Sequence, residues 1–120
     1  MENLVVTSYY ELKSLNPQIA VTYKEDGFDE VKGYVILDFG EKTKDDITEC
    51  NLQVSFKDNV NIIKAGASCG CTRPTFKKVD DYYIVHVYFN NKEVKKDVSK
   101  YFSLQLDNGK TIKFNLIINK

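Results

Sequence analysis

The chain has 120 residues, 17 Lys+Arg against 17 Asp+Glu, and a formal net charge of zero. That length suits one domain with a modest core. With Arg73 as the only arginine, it lacks the basic excess and the forked phosphate contacts of nucleic-acid binders, so no nucleic-acid partner is expected. No stretch approaches the roughly 20 apolar residues of a membrane helix. The opening Met1-Glu2-Asn3-Leu4-Val5-Val6 has no basic n-region or small-residue cleavage site. The expectation is a protein without a membrane partner, made in the cytosol and kept or assembled there.

Eight tyrosines and seven phenylalanines, with frequent Val and Ile, favour a pleated, half-buried surface, and so an all-β domain. In chain order, Leu4–Tyr10 reads as a first strand and Leu12 to Asn16 as a short helical turn. Gln18–Lys24 alternates apolar and polar residues, and Glu25-Asp26-Gly27 breaks it. Val31–Phe39 is a near-continuous apolar run that suggests a central strand. Cys50–Lys57 alternates Cys50, Leu52, Val54 and Phe56 with polar residues, the pattern of a half-buried strand. Val60–Lys64 is a further short strand.

The stretch Ala67 to Phe76 then departs from the alternation. It holds two of the three cysteines, one of the two prolines and the only arginine, and it reads as a fixed corner built on Cys69, Gly70, Cys71 and Pro74. Tyr82–Phe89 is a strand apolar or aromatic on both faces. Asn90 to Ser99 is a charged loop, and Tyr101–Leu106 and Lys110–Ile118 flank the hairpin signal Asp107-Asn108-Gly109. Seven to eight short strands without a long helix predict a sandwich or barrel.

Several of these residues carry a resemblance. Asp38-Phe39-Gly40, Val54-Ser55-Phe56, Ala67-Ser68-Cys69-Gly70-Cys71-Thr72 with Pro74 and Phe76, and Phe102-Ser103-Leu104-Gln105-Leu106 together resemble a bacterial immunoglobulin-like family related to the ASH domains of abnormal-spindle protein and hydin. The likeness covers Tyr34 to the C-terminus. It implies an immunoglobulin-like β-sandwich over 34–120, with 1–33 as an N-terminal addition, and no enzymatic activity. Where the family places a Pro-Gly element before the strand at Tyr82, this chain has Lys78-Val79-Asp80-Asp81.

Cys69 and Cys71 admit three readings. A Cys-Gly-Cys disulfide is strained and easily reduced. A structural zinc site needs four ligands, and only Cys50 and His86 remain to complete it. Alternatively, both are small packed side chains at a corner where Gly70 supplies a special backbone angle. Cys50 falls on the apolar face of its strand. His86 shares a face with Ile84 and Tyr88, and nothing in the spacing gathers a Cys-His-carboxylate triad.

Arg73 is suited to a partner's carboxylate. Tyr9, Tyr10, Tyr82 and Tyr83 are aromatic candidates for a protein interface, along with Gly70 at the corner. No cofactor or metal is expected. The expected function is a non-enzymatic structural module. Its first form is an accessory or decoration protein of a bacteriophage particle, contacting capsid or other virion proteins. The alternatives are a binding module of the bacterial cytoplasm or envelope, and a thiol or metal protein using Cys69 and Cys71.

Overall fold

A computed structural model describes residues 3–16, 19–24, 34–41, 47–67, 70, 72–90 and 98–119. It contains ten strands: β1 (Leu4–Val6), β2 (Tyr10–Ser14), β3 (Ala20–Lys24), β4 (Tyr34–Glu41), β5 (Ile47–Phe56), β6 (Ile62–Ala67), β7 (Thr72–Val79), β8 (Tyr82–Asn90), β9 (Val98–Leu106) and β10 (Thr111–Asn119). They form two five-stranded sheets, ordered β1-β2-β5-β8-β7 and β3-β4-β10-β9-β6. All pairings are antiparallel except β4 with β10.

The strand order identifies the architecture. Counting from Tyr34, the second, fifth and fourth strands (β5-β8-β7) share one sheet, and the third, sixth and seventh (β6-β9-β10) share the other. These are the B-E-D and C-F-G groupings of the immunoglobulin fold. The first of the seven, β4, runs parallel to the last, β10, and β2 takes the place beside β5. The chain is an all-β, immunoglobulin-like sandwich. Residues before Tyr34 extend both sheets, β1 and β2 widening one and β3 the other.

Period-two alternation builds the core. Leu12 on β2, Leu52 and Val54 on β5, Val85 and Val87 on β8 face Val35 and Leu37 on β4, Leu104 on β9, and Phe114 and Leu116 on β10, all fully buried. Burying a side chain of this size stabilises by about 1.5–3 kcal/mol, so this inward set holds the two sheets together. Phe102 and Phe114 lie opposite each other on β9 and β10 and stack with ring centroids 4.5 Å apart and planes within 3°.

Three sequence expectations change. Leu12 to Asn16 is no helical turn: Tyr10–Ser14 is strand β2, paired to β5 from Tyr10↔Phe56 to Ser14↔Leu52. Its alternating pattern, with Tyr10, Leu12 and Ser14 inward and Glu11 and Lys13 outward, is that of a strand. Leu4–Tyr10 is divided, because Thr7 Oγ1 accepts hydrogen bonds from the N–H groups of Tyr9 and Tyr10 and folds the chain into a turn. The corner ends earlier than expected, since Thr72–Val79 is strand β7. The expected seven to eight strands become ten among the described residues, the additions being β2 and β7.

Local irregularities have identifiable causes. Between Ile117 and Asn119 of β10, β4 advances from Asp38 to Glu41, one residue more. The extra residue is a bulge at Phe39-Gly40, where Gly40 has φ +72° and its N–H donates to Asp38 Oδ1 at 2.9 Å. A second bulge lies in β6, where Ile62 and Lys64 face adjacent residues of β9 and Ile63 turns outward, 60% exposed.

Candidate functional site

The outer face of the first sheet gathers the candidate residues into three rows. β8 turns Tyr82, Ile84, His86 and Tyr88 outward, each half-buried, while Tyr83, Val85, Val87 and Phe89 point into the core. On β7, exposed Arg73, Thr75 and Lys77 stand opposite Tyr88, His86 and Ile84. On β5, Glu49, Asn51 and Gln53 stand opposite the same three residues. Directly opposed side chains lie about 5 Å apart at Cβ and interact. The first row therefore runs cation, aromatic ring, anion: Arg73, Tyr88, Glu49. His86 Nε2 reaches Glu49 Oε2 diagonally at 3.8 Å, which ties the first row to the second.

Arg73 lies within β7 and on this face. Pro74 is also part of β7 and faces inward opposite Val87. Because β7 is the edge of its sheet, the N–H that proline lacks leaves no neighbouring strand unpaired. Gly70 is exposed, but its φ lies outside the left-handed region and an added Cβ would meet nothing within 4 Å. The special backbone angle expected there is not present; Gly40 and Gly109 are the positive-φ glycines among the described residues. Cys69 and Cys71 lie outside the described residues. The connection they occupy joins β6 of one sheet to β7 of the other.

The tyrosine candidates separate. Tyr9 is 52% exposed, with Lys110 Nζ 3.5 Å above its ring centroid. Tyr82 is half-buried on the outer face. Tyr10 and Tyr83 are 7% and 5% exposed and belong to the core, which corrects their expected place at an interface. Both belong to an edge-to-face series, Tyr10–Phe56–Tyr83–Phe76, with centroids 6.1–6.4 Å apart. A polar tip makes tyrosine look interfacial in sequence, yet Tyr83 satisfies its hydroxyl inside the protein by donating to Asn61 Oδ1 at 3.1 Å. Burial raises the Tyr10 phenol pKa well above its ordinary value, and the charge of Tyr23 adds to the shift.

Cys50 and His86 lie on opposite sides of the sheet. Cys50 pairs with Val87 and points into the core, while His86 pairs with Asn51 and points outward. The pleat thus separates the two soft ligands that a four-ligand site with Cys69 and Cys71 would need together. It separates a thiol nucleophile from its base in the same way. Burial pushes the Cys50 thiol up to about 12, partly offset by a hydrogen bond with Ser14, so the group is held as an inert neutral thiol. No cluster of three or more His, Cys, Asp or Glu suited to a metal is found among the described residues.

Sequence reasoning found Arg73 and counted Tyr88 among the tyrosines, but it missed Glu49 and the alignment of the three. The register that aligns them is a long-range property, although the alternation of β8 already put Tyr88 and His86 on one face. Comparison of the chain with family models, curated proteins and solved structures gives no match. No helix among the described residues is long and apolar enough to cross a membrane.

Proposed function

We propose that this chain is a non-enzymatic immunoglobulin-like module that docks on a larger protein assembly through the outer face of its first sheet. The observation that carries the proposal is the row of Arg73, Tyr88 and Glu49, bordered by Tyr82, Ile84 and His86. Arginine and tyrosine are residue types that dominate protein interfaces, and here exposed Arg73 on the edge strand stands beside half-buried Tyr88 on a rigid sheet. A guanidinium and a carboxylate on either side of a ring give such a face an orientation as well as an area.

The assembly suggested by the sequence is a bacteriophage particle, with the module as an accessory or decoration protein on the capsid. The resemblance to the ASH-related immunoglobulin-like family supports a binding role without chemistry. The test is particle composition combined with substitution. Purified particles contain the chain in many copies, and a chain bearing Arg73→Ala and Tyr88→Ala keeps its circular dichroism but no longer attaches. Particles lacking the chain would overturn the virion reading. Capture of one host protein by the wild-type chain alone would place the module in the bacterial cytoplasm or envelope instead.

A further inference from the structure

Exposed apolar surface is concentrated at the opposite edge of that sheet from Arg73, on the β1–β2 hairpin and its flanks. Of the large apolar residues left exposed among the described residues, Leu4, Val6, Tyr9 and Leu15 belong to this segment, against Ile63 and Tyr101 elsewhere. β1 is also a sheet edge. Hydrogen bonds from Ser14 N–H to Asn3 O at 2.8 Å and from Thr7 N–H to Tyr10 O at 2.9 Å fix which residues face β2. With the register Val5↔Leu12, residues 3, 5 and 7 bond to β2, so the N–H and C=O groups of Leu4 and Val6 point away from the sheet.

The other edges carry the devices that prevent edge-to-edge pairing. β7 has Pro74 and the cations Arg73, Lys77 and Lys78; β6 has its bulge at Ile63 and Lys64; β3 ends on Lys24. β1 has no charge, proline or bulge, only Leu4, Val5 and Val6, and its shortness alone limits pairing.

We propose that β1 is a self-association edge, pairing antiparallel with β1 of a second copy about a twofold axis at Val5. Only in that register does each outward-pointing Leu4 meet an outward-pointing Val6 of the other copy, so that each Leu4–Val6 pair closes with two hydrogen bonds. The same register places the outward side chains in the order Lys13, Leu4, then Val6 and Glu11 of the second copy. Apolar residues meet at the centre, with opposite charges at the two ends. A copy of this chain is favoured over a flexible peptide because β1 is short. Ordering a free segment costs about 1–2 kcal/mol per residue, whereas the second copy offers a strand that its own fold has already ordered. A C2 interface of this kind is isologous and closes on itself.

The experiment is sedimentation equilibrium of the full chain over a wide concentration range, with two variants. Val6→Pro removes an outward donor while leaving the bonds from β1 to β2 intact, and Val6→Lys places a charge at the centre of the contact. The wild type is expected to show a reversible dimer. Each variant is expected to weaken it at least about tenfold, the equivalent of about 1.4 kcal/mol, with unchanged circular dichroism. A wild-type chain that stays monomeric throughout, or a dimer that survives both variants, would overturn the proposal. A dimer lost instead in Arg73→Ala would assign self-association to the outer face and also overturn it. Attachment to an assembly through Arg73 and Tyr88 is read separately, so the two surfaces fail or succeed independently.

Discussion

The hydroxyl of Tyr83 donates to Asn61 Oδ1 at 3.1 Å, and through this bond a core ring is fastened to the loop between β5 and β6. Asn61 also receives Lys78 Nζ at 3.1 Å, and its own Nδ2 donates to Asp107 Oδ2 at 3.1 Å. One side chain therefore joins β8, the end of β7 and the β9–β10 hairpin. Tyr83→Phe, which keeps the ring packing and removes one bond, is expected to cost about 1 kcal/mol. Asn61→Ala strips several partners at once and is expected to cost about 2 kcal/mol. Urea unfolding at neutral pH measures both, and an Asn61→Ala protein as stable as the wild type would remove Asn61 from this role.

The carboxylate of Asp107 accepts from the Asn61 backbone N–H at 3.1 Å as well as from its amide. These two hydrogen bonds hold its pKa below the ordinary 3.8, with the Lys78 charge a smaller contributor. A depressed carboxylate pKa stabilises the fold above the unfolded value, and that stabilisation disappears as pH falls through the native value. The advantage of wild type over Asp107→Asn should thus be constant from neutral pH down to near 3.8 and shrink below it. Unfolding curves for the pair across the acid range would show this. A difference that does not change with pH would rule out the charged form as the source.

The β9–β10 and β7–β8 hairpins solve the problem of positive φ differently. Between β9 and β10, Gly109 has φ +83° and its N–H bonds to Leu106 O at 3.2 Å, while Leu106 N–H reaches Lys110 O at 2.9 Å. This is a three-residue loop with the glycine in the left-handed position. Between β7 and β8, Asp80 takes φ +54° with no glycine available. Aspartate tolerates that region better than most residues, and a β-branched residue tolerates it badly. Asp80→Asn should be near neutral and Asp80→Val should cost about 1–2 kcal/mol. Thermal unfolding of the two variants decides it, and a valine variant as stable as wild type would show that the turn relaxes to another type.

How much could be read in advance depended on whether a feature was local. The alternation of Cys50, Leu52 and Val54 is written into consecutive residues, so that strand and its buried face were legible; Tyr82–Phe89 was legible as a strand, but with both faces apolar or aromatic its buried side was not. β7 was not, because Pro74 and the neighbouring Cys-Gly-Cys argued for a turn; only the position of β7 at a sheet edge makes the proline harmless. β2 was missed because Tyr-Glu-Leu-Lys-Ser is short and has good helix formers, and pairing with β5 overrides that preference. Among the interface candidates, Arg73 could be found by its rarity. Its alignment with Tyr88 and Glu49 needed the register of three strands, and the burial of Tyr10 and Tyr83 needed the depth of the core.

The inner face of β5 carries the last prediction. Cys50 is fully buried, and desolvation pushes its thiol from an ordinary 9.0 up to about 12. Tyr10, at the other end of the β2–β5 pairing opposite Phe56, has its phenol raised above an ordinary 10.0 by the same cause. Both groups hold their protons in the folded state and release them sooner when unfolded. Their contribution is complete below pH 9.0 and is lost as pH rises through the native values. The fold should therefore weaken progressively above pH 9.0, and Cys50→Ala should move the onset upward by removing the lower-titrating group. In a Cys69→Ser, Cys71→Ser background, a thiol reagent at neutral pH should leave Cys50 unmodified in the native protein and modify it once urea unfolds the chain. Rapid native labelling of Cys50 would mean that the two sheets separate far more often than a sealed core permits.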